Sequence, residues 1–373
     1  MKTAAREVPF LDLDAQYRQV ETEIWPAIRE VVERRAFILG AAVEAFEREF
    51  AAYCGARDHI GVGSGTEALH LALLALGVGP GDEVITQANT FVATLEAIAY
   101  TGAKIVLVDV KPPGYAIDVE SVAAALTPRT KVIVPVHLYG RPAPMDALEG
   151  LAKTAGLAIV EDAAQAHGAR YRGCRIGSTN TACFSYYPGK NLGAYGEAGG
   201  ISTNDTGLAA KMRSLRNHGS RHRYVHDEIG YNYRMEGIQG AVLRVKLKYL
   251  DEWNAGRRRA ATHYDSLLAE WSRPSTPGDV EHVYHIYPVF VRNRDATIAS
   301  MRTAGIETNV HYPVACHLQA AFAYLGYPVG AFPHSEQMAR EELSLPMYPE
   351  LHEDAIAYVV KTLRTVSSPG AQP

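Results

Sequence analysis

Short apolar runs alternate with longer helical patterns through the first two thirds of the chain. The runs are Glu83-Val84-Ile85-Thr86, then 104–108, 131–136 and 157–160, and segments at helical spacing such as 93–99 and 145–155 lie between them. Strands that are apolar on both faces and separated by helices predict an α/β fold, with a mostly parallel sheet covered on both sides by helices. After Leu250 the pattern changes to a basic helical stretch over 251–268, a Ser/Pro-rich segment over 272–278 and a strand over 283–291. This predicts a linker helix leading into a smaller α+β domain. A chain of 373 residues exceeds the size at which one core keeps growing. The expected division is therefore a large domain over 1–250 and a smaller one over 251–373, with a frayed tail over 367–373.

Charge changes the picture little. Hydrophobic residues make up 47% and charged residues 21%, and 37 basic and 41 acidic side chains give a formal charge of −4. No basic stripe is present to neutralise a phosphate backbone, so nucleic acid is not an expected partner. The densest basic runs, 213–223 and Arg257-Arg258-Arg259, read as solvated helix faces. Cys54, Cys174, Cys183 and Cys316 are scattered, with no spacing for a metal knuckle or redox dithiol, so no metal is expected. The start, Met1 to Glu7, has no apolar signal core and no apolar stretch is long enough to cross a bilayer, which leads us to expect a cytoplasmic protein with no membrane partner.

In open parallel sheets the ligand crevice lies beyond the carboxyl ends of the strands, so polar residues just after the strands are the candidates. Gly63-Ser64-Gly65-Thr66-Glu67 ends one apolar run and opens a helix, where free backbone N–H groups and hydroxyls suit a phosphate. A glycine-rich turn before a helix serves equally as a tight connection. Glu161-Asp162-Ala163-Ala164-Gln165 follows the run at 157–160. It places a carboxylate at the crevice and an amide one helical turn on, although an Asp there also suits a helix cap. The third candidate is Phe184-Ser185-Tyr186-Tyr187-Pro188-Gly189-Lys190-Asn191-Leu192-Gly193, a lysine among aromatics, proline and glycine. A partly apolar setting disfavours the ammonium and favours the neutral amine needed for imine formation. His137 and His167 also follow strands and read as structural.

Taken in order with Gly230-Tyr231-Asn232-Tyr233-Arg234-Met235, Pro9-Phe10-Leu11-Asp12-Leu13 and Asn309-Val310-His311-Tyr312-Pro313, these motifs resemble the DegT-type sugar aminotransferases, of the fold-type I pyridoxal-phosphate (PLP) enzymes. The resemblance spans nearly the whole chain. It implies that Lys190 carries the cofactor as a Schiff base and then shuttles the proton. It implies further that Asp162 pairs with the pyridine nitrogen, Gln165 meets the phenolic oxygen and Phe91 stacks on the ring. Gly65, Thr66 and Ser185 would hold the phosphate, joined by Asn232 from a second subunit, so that a homodimer is expected. L-glutamate is the implied amino donor. Tyr187, His311 and Tyr312 match positions near the hexose in the family's 3-keto-sugar branch, which favours a dTDP-3-keto-6-deoxyhexose. His311 and Tyr312 also have a structural reading, as a bonded histidine and a tyrosine packed on Pro313. Amination of a 4-keto sugar or a keto cyclitol, and a non-catalytic regulator on the same fold, are the alternatives. Related sugar 3-dehydratases carry histidine in place of the lysine, so Lys190 favours transamination. Glu197 departs from the Gly-Asp-Gly common at this loop, which bears on the geometry beside the sugar.

Overall fold

The computed structural model describes residues 7–370 apart from 113, 223 and 272–276, so most of the expected Ser/Pro-rich linker and the last three residues of the expected tail lie outside it. Its centre is a sheet of seven strands in the order Asp58–Val62, Gly199–Thr203, Thr181–Ser185, Ala158–Asp162, Thr130–Val134, Glu83–Gln87, Lys104–Val108. Only Gly199–Thr203 runs against the others, pairing antiparallel with both neighbours. The remaining pairings are parallel. Such strands need cover on both faces, and the predicted helices supply it as Val92–Tyr100 and Met145–Ala155, together with Gly65–Ala75. The mostly parallel sheet is thus present, and each of its four predicted strands lies within two residues of its expected ends, whereas the strand expected over 283–291 spans only Tyr287–Phe290.

Two local expectations fail for identifiable reasons. No helix follows Asp162: the chain turns instead, with Ala166 N–H donating to Ala163 O at 2.9 Å and Gly168 at φ 81°. The basic runs are also not wholly solvated. Arg216 is buried, where it donates to Glu47 and to Gly61 O, and Glu47 in turn accepts from Gly61 N–H at 2.8 Å. Arg257 is 2% exposed and donates to Met347 O at 2.9 Å and to Tyr284 O at 3.2 Å. The Arg216 guanidinium ties a helix to a strand from inside and that of Arg257 ties two loops, which charge patterning along a sequence does not reveal.

Beyond the helix Leu250–Leu267, a separate apolar cluster gathers Tyr264, Leu268, Val289, Met301, Leu343 and Leu363 around the strand pair Tyr287–Phe290 and Glu342–Leu345. Val8 joins this cluster and bridges to Ile306. The N-terminal segment therefore packs against the C-terminal core. Among the described residues no helix is long and apolar enough to cross a membrane.

Candidate active site

At the carboxyl ends of the parallel strands lies a cavity of about 530 Å³, within the range typical of small-molecule and cofactor sites. One wall is the start of the helix Gly65–Ala75. Ser64 caps this helix by accepting from Glu67 N–H at 3.1 Å, and the Glu67 carboxylate reaches back to Gly63 N–H at 2.7 Å. This is a capping box displaced by one residue. The first N–H groups of the helix have no partner within it and face the cavity edge. A Cβ on Gly65 would lie 2.6 Å from Ser185 Cβ, so only glycine allows the helix start and the Ser185 hydroxyl to approach so closely. The donors assembled there suit an anion.

Asp162, at the end of its strand, is buried. Its Oδ2 accepts from Thr94 Oγ1 at 2.7 Å and its Oδ1 from Ala164 N–H at 3.1 Å. Thr94 Oγ1 lies 2.8 Å from Thr90 Oγ1. Burial raises the Asp162 carboxyl above its usual range, opposed by these donors and by the charge of Lys190. Lys190 follows the strand Thr181–Ser185 in a loop held by Lys190 N–H to Tyr187 O at 2.8 Å, Ala194 N–H to Tyr186 O at 2.7 Å and Lys246 Nζ to Gly193 O at 2.8 Å. Burial brings the Lys190 amine down to about 8, even though Asp162 favours its charge.

Gln165 Oε1 accepts from Tyr139 N–H, which fixes the orientation of its amide, and its Nε2 donates to Tyr312 OH at 3.1 Å. Tyr139 OH donates to His311 O. Phe91 is half exposed at the start of its helix and meets the Tyr312 ring at 5.2 Å between centroids.

The structure brings Gly65, Thr66, Phe91, Asp162, Gln165, Ser185, Tyr187, Lys190, His311 and Tyr312 to this one cavity. It does not bring Asn232, which is exposed elsewhere with its Oδ1 accepting from Arg234 at 2.7 Å and 3.0 Å. His137 is structural as read, its Nδ1 accepting from Ala143 N–H and its Nε2 bonded to Glu161, both at 2.9 Å. His167 is buried against Phe184 and Tyr186. Sequence reading assigned no place at the cavity to Thr94, Tyr139, Arg257, His285 or Asn309. For Thr94 a signal existed, since Thr90 and Thr94 stand one helical turn apart behind Phe91.

An amine of weakened basicity, a buried carboxylate and an anion cradle on one α/β crevice are the equipment of a group-transfer enzyme that works through a phosphorylated cofactor. The chain belongs to the DegT/DnrJ/EryC1/StrS aminotransferase family, which matches it over residues 18–364, and it is an aminotransferase. It is 48% identical over 362 residues to a pleiotropic regulatory protein of Geobacillus stearothermophilus, covering 95% of this chain and 97% of that one. It is 46% identical over 361 residues to dTDP-3-amino-3,4,6-trideoxy-alpha-D-glucose transaminase of Streptomyces venezuelae, covering 96% and 95%. The X-ray structure of S. venezuelae DesV in complex with a ketimine intermediate superposes with a TM-score of 0.94 at 46% identity, covering 96% of this chain and 98% of that chain. Aminotransferases of the family are PLP-dependent, and solved neighbours include PLP- and PMP-bound forms.

Proposed function

We propose that this chain binds PLP in the cavity and transfers an amino group from L-glutamate to a nucleotide-linked 3-keto-6-deoxyhexose, with dTDP as the favoured carrier. The observation that carries the reading is the pairing of Lys190 and Asp162 across one cavity, an amine poised to react and a carboxylate poised to hold a ring proton. PLP supplies, when bound, an electron sink that carries the amino group between the two substrates. Gly65, Thr66 and Ser185 hold its phosphate at the helix start. Asp162, which accepts from Thr94 and Ala164, would face the pyridine nitrogen and hold its proton. Gln165 Nε2 has a second hydrogen to offer the phenolic oxygen, and Phe91 covers the ring face. Lys190 is the attachment point, and its amine moves the proton at the carbon that gains or loses nitrogen.

Tyr187, His311 and Tyr312 line the cavity and orient the hexose. The choice of a 3-keto sugar on dTDP follows the transaminase relative, while UDP- and GDP-linked sugars in other relatives' names make the nucleotide the finer part of the proposal. Asn232 completes the phosphate site from a second copy of the chain. Its exposure outside its own cavity, and the exposed Trp25, Phe37 and Ile38, support a homodimer.

The test is direct. Protein loaded with PLP is treated with borohydride, which reduces and fixes an imine link, and the adduct is located by mass spectrometry. Attachment at Lys190, lost in Lys190→Ala, is expected; an adduct that persists in Lys190→Ala refutes the assignment. Turnover of a keto cyclitol and not of the keto sugar, each with glutamate, overturns the substrate.

A further inference from the structure

The strand Glu342–Leu345 lies buried in the C-terminal core, yet Glu342 and Ser344 are polar and wholly buried. Asn309 N–H donates to Ser344 O at 3.1 Å and Ser344 N–H to Asn309 O at 2.8 Å, so this strand anchors the loop that brings His311 to the cavity. Glu342 Oε2 accepts from His311 N–H at 2.7 Å. Ser344 Oγ lies 2.8 Å from His311 Nδ1 and also makes a short hydrogen bond to Glu342 Oε1. With Nδ1 tied to the strand, Nε2 is the ring nitrogen left for the cavity.

Ser344 has one hydroxyl proton to give. When Glu342 is a carboxylate, Ser344 donates to it and only a lone pair remains for His311, so Nδ1 carries the imidazole proton and Nε2 is a bare acceptor. When Glu342 is protonated, its carboxyl donates to Ser344, Ser344 donates to Nδ1, and the imidazole proton sits on Nε2. On deprotonation each proton moves one partner along: from Glu342 to Ser344, from Ser344 to Nδ1, and from Nε2 out to the cavity.

We propose that Glu342 is a positioning residue that acts through Ser344 to set the tautomer of His311, and thereby whether the cavity meets a hydrogen-bond donor or an acceptor there. The consequence for turnover rests on the sugar-aminotransferase reading, in which His311 meets the hexose. Arg294, from the helix Arg294–Thr303, faces Glu342 and lowers it, and Tyr139 and Tyr312 lie close to it. Lys190 and His285 lie beside His311. Burial pushes Glu342 up to about 8, outweighing the hydrogen bonds from Ser344 and His311 and the Arg294 charge. Burial and the Lys190 charge hold the His311 imidazole down to about 4. His311 is therefore neutral while Glu342 titrates, and its tautomer changes rather than its charge. Below pH 8 it presents N–H to an oxygen of the hexose.

The experiment uses PLP-loaded protein labelled with ¹⁵N-histidine, with His311 assigned by its absence in His311→Gln, and reads the ring-nitrogen shifts on either side of pH 8. The wild type is expected to pass from Nε2–H to Nδ1–H as pH rises. Glu342→Gln, an isosteric change whose amide always donates to Ser344, is expected to stay Nε2–H throughout. A constant tautomer in the wild type, or a switch that survives in Glu342→Gln, overturns the relay. In parallel, two half-reactions are read by the cofactor's absorbance, one with dTDP-3-amino-3,6-dideoxyhexose and one with L-glutamate. Effects shared by both, such as those of Lys190, cancel in the ratio of their rates. The two donors' own amines titrate alike in both proteins, so that ratio should change across the transition about tenfold more in the wild type than in Glu342→Gln, the size of one hydrogen bond. A wild-type change no greater than that of Glu342→Gln overturns the functional claim. If the tautomer switches but the wild type does not turn over the amino sugar, the relay stands and the sugar reading falls.

Discussion

A lysine amine brought down to about 8 is half neutral at that pH, where an ordinary lysine is almost wholly protonated. Only the neutral amine attacks an aldehyde, so capture of PLP by cofactor-free protein should accelerate as pH rises toward 8 and level off above it. Stopped-flow absorbance after mixing with PLP checks this. A rate that goes on climbing to the range of a free lysine would mean that burial does not lower the basicity of Lys190. The same residue marks what sequence could reveal. Aromatics, proline and glycine around Lys190 signal a rigid, partly apolar setting, and the structure supplies the burial that this implies. Tyr139 was harder to find, because it acts by bonding to Gln165 across a gap of 26 residues. Side-chain contacts at such distances in sequence leave no local pattern.

The start of the helix Gly65–Ala75 is the element on which the proposed anion site depends. An added methyl group at Gly65 would meet Ser185 Cβ at 2.6 Å. Gly65→Ala should therefore force the helix start away from Ser185 and weaken PLP retention by about tenfold or more, the loss of one or more charge-assisted hydrogen bonds. Equilibrium dialysis measures it, with circular dichroism to show that the fold persists. Undiminished retention would place the phosphate elsewhere. The alternation of apolar runs with helical segments made the sheet legible, because strands apolar on both faces have few other arrangements. The turn after Asp162 was not legible: Ala163-Ala164-Gln165-Ala166 favours helix locally, and the bond from Ala163 N–H to Cys183 O at 2.8 Å, made across the sheet, overrides that preference.

At the scale of the whole molecule, the proposed homodimer divides each site between two chains. Lys190→Ala alone and Asn232→Ala alone should each be impaired. When the two variants are refolded together, mixed dimers pair one chain's intact Lys190 with the other chain's intact Asn232 and regain activity at one of their two sites. Activity no greater than the sum of the separate variants would mean that each site is complete within one chain. The central claim, transfer of glutamate nitrogen to C3 of a dTDP-linked 6-deoxyhexose, is tested most directly by one measurement. PLP-loaded protein is incubated with ¹⁵N-labelled L-glutamate and dTDP-3-keto-6-deoxyglucose, and the sugar product is examined by NMR. The account predicts ¹⁵N bonded to C3; an unlabelled sugar, or nitrogen at another carbon, would contradict it.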